Sequence, residues 1–150
     1  MDDGWALIKI DQVPDKPGVA AAIFGAIADA GISVDLILQN AGEHQIADLS
    51  FTVSVTDLPK ARGCLETIQA AANAKAIHTL EDLAKVELVG TGILTDPAYV
   101  GRMFRVLADA GVNILAIGTS EIRISCLVHR ADRQRAGDAL SAAFQVNAAL

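Results

Sequence analysis

At 150 residues, 52% of them apolar, the chain has enough hydrophobic material for a buried core, and its formal charge of −6 argues against a nucleic-acid or anionic-membrane surface. The twelve Lys and Arg are scattered, and an apolar stretch such as 19–28 falls well short of the ~20 residues a membrane span needs, so a soluble cytoplasmic protein is expected. Cys64 and Cys126 lie far apart in the chain, in helical and strand patterns, which fits buried free thiols rather than a disulfide framework or a metal site.

Residues 5–11, rich in Ile and Leu, read as a first strand. Ala20, Ile23, Phe24 and Ile27 follow at i, i+3, i+4, i+7, the spacing of an apolar helix face. Asp15 can cap that helix, Pro17 suits its first turn and Gly31 ends it. A strand is expected over 32–38. In the next one Leu49, Phe51, Val53 and Val55 alternate with Ser50, Thr52 and Ser54, giving one buried face and one polar face that is solvated or lies at a subunit contact. Asp57 and Pro59 open a second helix carrying Ala61, Cys64, Leu65 and Ile68, followed by a short strand over 76–79.

The same grammar then recurs. Strands are expected over 86–91, 112–118 and 122–128; Val100, Met103, Phe104 and Leu107 form a helix face with Asp96 and Pro97 before it and Gly111 after it; and Asp132 opens a last helix with Ala136, Ala139, Leu140, Ala143 and Phe144. The recurrence extends to identity. Residues 17–37 (PGVAAAIFGAIADAGISVDLI) align with 97–117 (PAYVGRMFRVLADAGVNILAI) at seven identical positions of twenty-one, which marks an internal duplication.

The resulting order is β-α-β-β-α-β followed by β-α-β-β-α. It predicts an α+β protein of two tandem ferredoxin-like βαββαβ domains, 1–80 and 81–150, each an antiparallel sheet with both helices on one face. The final strand of the second domain is absent or supplied elsewhere. An uncovered sheet face and an unpaired edge are liabilities in a monomer, so pairing with the other copy or another subunit is expected.

The sharpest candidate site is Asp15-Lys16-Pro17-Gly18-Val19-Ala20, at the strand-to-helix turn of the first copy. A helix N-terminus presents free backbone N–H groups and a partial positive charge, which suit a carboxylate, and Gly18 has no side chain to hold a ligand away. Asp15, the turn carbonyls, and Gln39 and Asn40 at the end of the following strand can accept from an ammonium, so a free amino acid has the right groups to dock. The same residues also make an ordinary helix-start turn. In the second copy the turn reads Asp96-Pro97-Ala98-Tyr99, where a ligand has less room. If the two kinds of copy pair side by side, Asn113 and Ile114 of the second face the Gly18 turn and complete a polar pocket. Thr119, Ser120, Glu121 and Ile122 mark either a second effector position, an interface or a plain polar hairpin. Elsewhere, Val89-Gly90-Thr91-Gly92 lacks the third glycine of a dinucleotide turn, and His44, His78 and His129 lack metal-ligand spacing. No complete active site, metal site or cofactor is expected.

Val-Pro-Asp-Lys-Pro-Gly-Val-Ala, Ala-Asp-Ala-Gly-Ile, Leu-Gln-Asn and Leu-Ser-Phe-Thr-Val, with Ala-Gly-Val-Asn-Ile and Thr-Ser-Glu-Ile-Arg-Ile-Ser in the second copy, resemble the paired ACT domains at the carboxyl end of bacterial aspartate kinases. The resemblance covers nearly the whole chain. It implies a non-catalytic regulatory region that binds an end-product amino acid, threonine or lysine, and controls an ATP-dependent aspartate kinase domain or subunit, with ACT–ACT pairing into a homodimer. By the same resemblance the threonine pocket falls on Asp15, Gly18, Ala20, Gln39 and Asn40 of one copy and Asn113 and Ile114 of the other. Two departures weigh against lysine sensing and a second site: Asp96-Pro97-Ala98-Tyr99 replaces the family's His-Pro-Gly-Val, and the loop over 41–46 is shorter than usual. The rival reading is an ACT assembly module without effector binding. An independent small enzyme is a further possibility, since fold alone does not exclude catalysis.

Overall fold

The computed structural model describes residues 4–41, 44–90, 97–120 and 122–144. The described residues divide into two compact units, Trp5–Glu81 and a second that begins at Asp82 and also takes in Gly4. In the first unit the strands are β1 (Trp5–Pro14), β2 (Val34–Ala41), β3 (Ile46–Ser54) and the beginning of β4 (Ala76–Val89), joined by helices α1 (Val19–Asp29) and α2 (Leu58–Ala72). They lie in the order β2-β3-β1-β4. β3 runs antiparallel to both β1 and β2, pairing Ile8 with Phe51 and Gln39 with Leu49.

Both helices cover one face of this sheet. Ala6, Ile8, Ile10, Val13, Leu49, Phe51 and Val53 point toward Val19, Ile23 and Ile27 of α1 and Leu58, Ala61, Ile68 and Ala72 of α2. Phe51 is fully buried, and Phe24 meets its ring edge-on at 5.5 Å between centroids. The expected polar face departs from solvation at Thr52, which is buried. An irregularity in β2 between Val34 and Ile37 takes the Leu36 N–H off the ladder, and that N–H donates to Thr52 Oγ1 at 2.9 Å. Val55, assigned to the strand from its alternation, lies beyond it and is exposed.

The second unit holds the rest of β4, α3 (Pro97–Asp109), β5 (Ala116–Ser120), β6 (Arg123–His129), a single 3₁₀ turn (Arg130–Asp132) and α4 (Arg133–Phe144). β6 lies between β4 and β5 and is antiparallel to both. Ala84, Val86, Leu88, Ile124, Cys126 and Val128 meet Met103 and Leu107 of α3 and Ala136 and Leu140 of α4. On the other face of the same strands, buried Glu87 accepts from Ser125 Oγ at 3.2 Å and pairs with Lys85 Nζ at 3.2 Å and Arg123 Nε at 3.3 Å. Ser125 is therefore buried rather than solvated.

The tandem ferredoxin-like α+β arrangement read from the sequence is the observed one, with corrections to its strands. The strands expected over 76–79 and 86–91 fall on a single strand, β4, which passes from one unit to the next through Asp82 at φ 57° and ends at Val89, one residue before Gly90; Thr91 lies outside the described residues. Of the strand expected over 112–118, residues 112–115 carry no regular structure; Leu115 N–H reaches Leu127 O at 2.7 Å and regular pairing starts at Ala116.

The repeated Ala-Asp-Ala-Gly motif has a backbone cause. After α1, Gly31 N–H donates to Ala28 O and Ile32 N–H to Ile27 O; after α3, Gly111 N–H donates to Ala108 O and Val112 N–H to Leu107 O. This is the Schellman ending of a helix, which needs a left-handed residue, and Gly31 and Gly111 have φ 75° and 74°. The apolar residue after each glycine, Ile32 or Val112, is buried in the same core as the last buried residue of its helix, Ile27 or Leu107, so the turn both ends the helix and aims the chain at the next strand.

Candidate functional site

The turn between β1 and α1 forms one side of an open depression in the first unit. Its floor is apolar: Val13, Val19, Ala47 and Leu49 are all buried. Asp15, Lys16, Ala20 and Gln39 stand exposed around it, with Pro14 completing the wall.

α1 starts without a side-chain cap, because its N-cap is Gly18 at φ 94° and ψ −18°, and no acidic residue occupies its first turn. Asp15, expected as a cap, does not serve as one. Its backbone N–H instead donates to Gln45 O at 2.7 Å, tying the turn to the chain between β2 and β3. A Cβ built on Gly18 would meet nothing within 4 Å, so glycine is required there by the positive φ and not by crowding. The uncapped first turn leaves backbone N–H groups available to an anion. A carboxylate and an ammonium thus stand at the rim, beside an uncapped helix end and above an apolar floor. Such a site can take a small zwitterion with an apolar or short polar side chain.

Five of the sequence candidates line this depression: Asp15, Lys16, Val19, Ala20 and Gln39. Pro17 and Gly18 shape the turn beside it. Asn40 pairs with Asp48, next to the Gln39–Leu49 pair, so strand alternation puts its side chain on the opposite face from Gln39. Asn113 and Ile114 belong to the second unit, between α3 and β5; Asn113 is exposed and Ile114 packs against that unit's core. Thr119 and Ser120 are exposed at the end of β5, and Ile122 is exposed with its C=O accepting from Gly90 N–H at 2.8 Å. Glu121 and Asp96 lie outside the described residues.

The sequence reading missed Val13, Pro14, Ala47 and Leu49 as lining residues. The signal was the apolar Val-Pro pair directly before the charged turn. In the second unit, Tyr99 at the start of α3 stacks on Phe144 at 6.1 Å, and Arg102 lies over the Phe144 ring and donates to Ala143 O. Its bulk is directed at the end of α4. Both cysteines are free; Cys126 is buried and Cys64 is only half-buried, short of the full burial expected. Among the described residues no group of His, Cys, Asp and Glu is placed to hold a metal ion, and no helix is long and apolar enough to cross a membrane.

Family models described as ACT domain match residues 6–73 and 86–144. The crystal structure of the regulatory subunit of aspartate kinase from Thermus thermophilus, in a ligand-free form, superposes with a TM-score of 0.88 at 35% identity, over 95% of this chain and 94% of that one. The chain belongs to the ACT-domain regulatory regions of aspartate kinases. The aspartokinase of Corynebacterium efficiens is 36% identical over 147 residues, which are 97% of this chain and 35% of that protein. This ACT pair therefore spans about a third of the length of the curated aspartokinases it matches. A crystal structure of E. coli aspartokinase III in complex with lysine and aspartate, in the T-state, matches with a TM-score of 0.72 at 25% identity, over 93% of this chain and 31% of that one.

Proposed function

We propose that this ACT pair is a non-catalytic sensor in which the depression beside α1 binds an end-product amino acid and biases an aspartate kinase catalytic domain or subunit between two states. The observation that carries this reading is the uncapped α1 N-terminus with Asp15 and Lys16 at the rim of an apolar-floored depression. The ligand's carboxylate faces the helix end and Lys16, and its ammonium faces Asp15. Threonine fits better than lysine: among the described lining residues Asp15 is the one carboxylate, and it is already matched to the ligand's α-ammonium. A ligand shifts a two-state equilibrium only through its different affinity for the two states, so regulation requires that the kinase arrangement alter this turn.

Thermal unfolding of the chain with each of the twenty amino acids tests the site. Threonine at a hundred times its dissociation constant should add about 2.7 kcal/mol of stability. Silence from every amino acid at tens of millimolar would sink the sensor reading in favour of an assembly module.

A specific observation favours assembly alongside sensing. Ile37 and Ile117, equivalent positions of the repeat, are 57% and 40% exposed on β2 and β5, each an outer strand of its own unit. Edge strands carrying exposed apolar side chains support pairing of two copies into a homodimer. Light scattering should give a dimer mass that Ile37→Lys reduces toward the monomer; a monomeric wild type would remove this reading.

A further inference from the structure

The wall of the depression is set by one extra residue in β1. Strand positions an odd number apart point to opposite faces. Ile10 and Val13 are three apart, yet both sit in the same core. The pairing Ile10 with Leu49 and Val13 with Ala47 explains this: three steps along β1 match two along β3, a β-bulge. Gln12 occupies it at φ 54°, a left-handed conformation that is costly for a residue with a Cβ. Its N–H donates to Asp48 Oδ1 at 3.0 Å. Asp48 is exposed on β3 between Ala47 and Leu49, two floor residues, and alternation turns its side chain to the face opposite theirs.

We propose that Asp48 is a positioning residue of the amino-acid site, and the inference rests on the sensor reading above. By holding the Gln12 N–H, its carboxylate fixes the bulge, and the bulge sets which way the following residues point. Without the extra residue Pro14 would take the inward phase of Val13, and Asp15 and Lys16 would be carried away from the rim. The strain at Gln12 and the hydrogen bond that offsets it are of similar size, so the bulged arrangement is held by a narrow margin. Loss of the acceptor lowers the fraction of binding-competent molecules, and apparent affinity falls in proportion to that fraction.

Calorimetric titration of the full chain with L-threonine and L-lysine tests this. Asp48→Ala should weaken binding about fivefold to tenfold. Asp48→Asn keeps an oxygen acceptor and should stay within about twofold of wild type. Adding Gln12→Gly to Asp48→Ala should restore most of the lost affinity, because glycine adopts the positive φ at little cost. Gln12→Val, which strains the bulge and leaves Asp48 in place, should weaken binding by a similar factor and decides the matter if Asp48→Ala does not fold. Wild-type binding that Asp48→Ala and Gln12→Val leave unchanged would overturn this proposal alone. An Asp48→Asn variant as weak as Asp48→Ala would also overturn it, by showing that charge rather than the bulge is at work. No binding of either amino acid by wild type would overturn the site reading and this proposal with it.

Discussion

Replacing Gly18 by alanine and by aspartate separates the backbone role of that residue from its role at the helix mouth. At φ 94° a side chain is strained, and a Cβ there touches nothing, so Gly18→Ala carries the conformational cost alone. That cost is about 1–2 kcal/mol, or a fall of about 2–8 °C in Tm for a chain of this length. Aspartate tolerates the left-handed region better than alanine, so Gly18→Asp should be no less stable. Binding should order the two the other way. A carboxylate about 5 Å from the ligand's own carboxylate repels it by about 3 kcal/mol at an effective dielectric of 20. Solvent and salt at this exposed rim reduce the figure, leaving about 1.4 kcal/mol or more, a tenfold loss of threonine affinity. Urea denaturation reads the first quantity, and calorimetry at low and high salt reads the second, since the repulsion should relax as salt rises. Gly18→Asp binding within twofold of wild type at low salt would refute the placement of the ligand carboxylate. Equal losses from alanine and aspartate would show that backbone shape, and not charge, governs the mouth.

Glu87→Ala removes the carboxylate shared by Lys85, Arg123 and Ser125 from a buried sheet face and should cost about 3–5 kcal/mol in urea denaturation; a loss under about 1 kcal/mol would mean that the network adds little. Burial pushes the Cys126 thiol from 9.0 up to about 12, so the folded state keeps its proton where the unfolded state gives it up. Stability should therefore be flat in this term below pH 9 and fall between pH 9 and about 12, by up to about 1.4 kcal/mol per unit, with Cys126→Ala removing that slope. Iodoacetamide at pH 8 should modify half-buried Cys64 in the native protein and Cys126 only after unfolding; early labelling of Cys126 would contradict its burial.

The sequence showed most clearly those features that backbone chemistry forces. Ala-Asp-Ala-Gly identified two helix ends because a Schellman turn demands a glycine with an apolar residue after it, and Ile32 and Val112 supply that residue. Alternation identified the core side of β3 at Leu49, Phe51 and Val53. What alternation could not reveal were left-handed residues inside strands. Gln12 and Asp82 both take positive φ within strands, and each breaks the period that defines a strand in sequence. One concealed the continuation of β1 through Val13 to Pro14, and the other concealed the continuity of β4. The candidate site was legible for a similar reason: Asp15, Lys16, Val19 and Ala20 are adjacent in sequence at a turn with an obvious helix after it. Its floor was not, because Ala47 and Leu49 come from a strand whose register is set only on folding.

The two copies differ at their helix beginnings and agree at their helix ends. At the ends, the same hydrogen bonds form after α1 and α3, because both units must turn a helix into a strand over the same short distance. At the beginnings, the α1 turn has a glycine at φ 94° and opens onto a depression, whereas the first turn of α3 carries Tyr99 stacked on Phe144. A duplication preserved only for folding has no reason to keep a positive-φ glycine and a charged rim in one copy while stacking two aromatic rings in the other. The asymmetry is expected if one helix mouth is kept open for a ligand and the other is committed to packing. Tyr99→Gly with Phe144→Ala should then lower the stability of the second unit without creating a new amino-acid site. Calorimetry showing an added threonine site in that variant would mean that the Tyr99–Phe144 stack alone distinguishes the second unit, and would remove this account of the asymmetry.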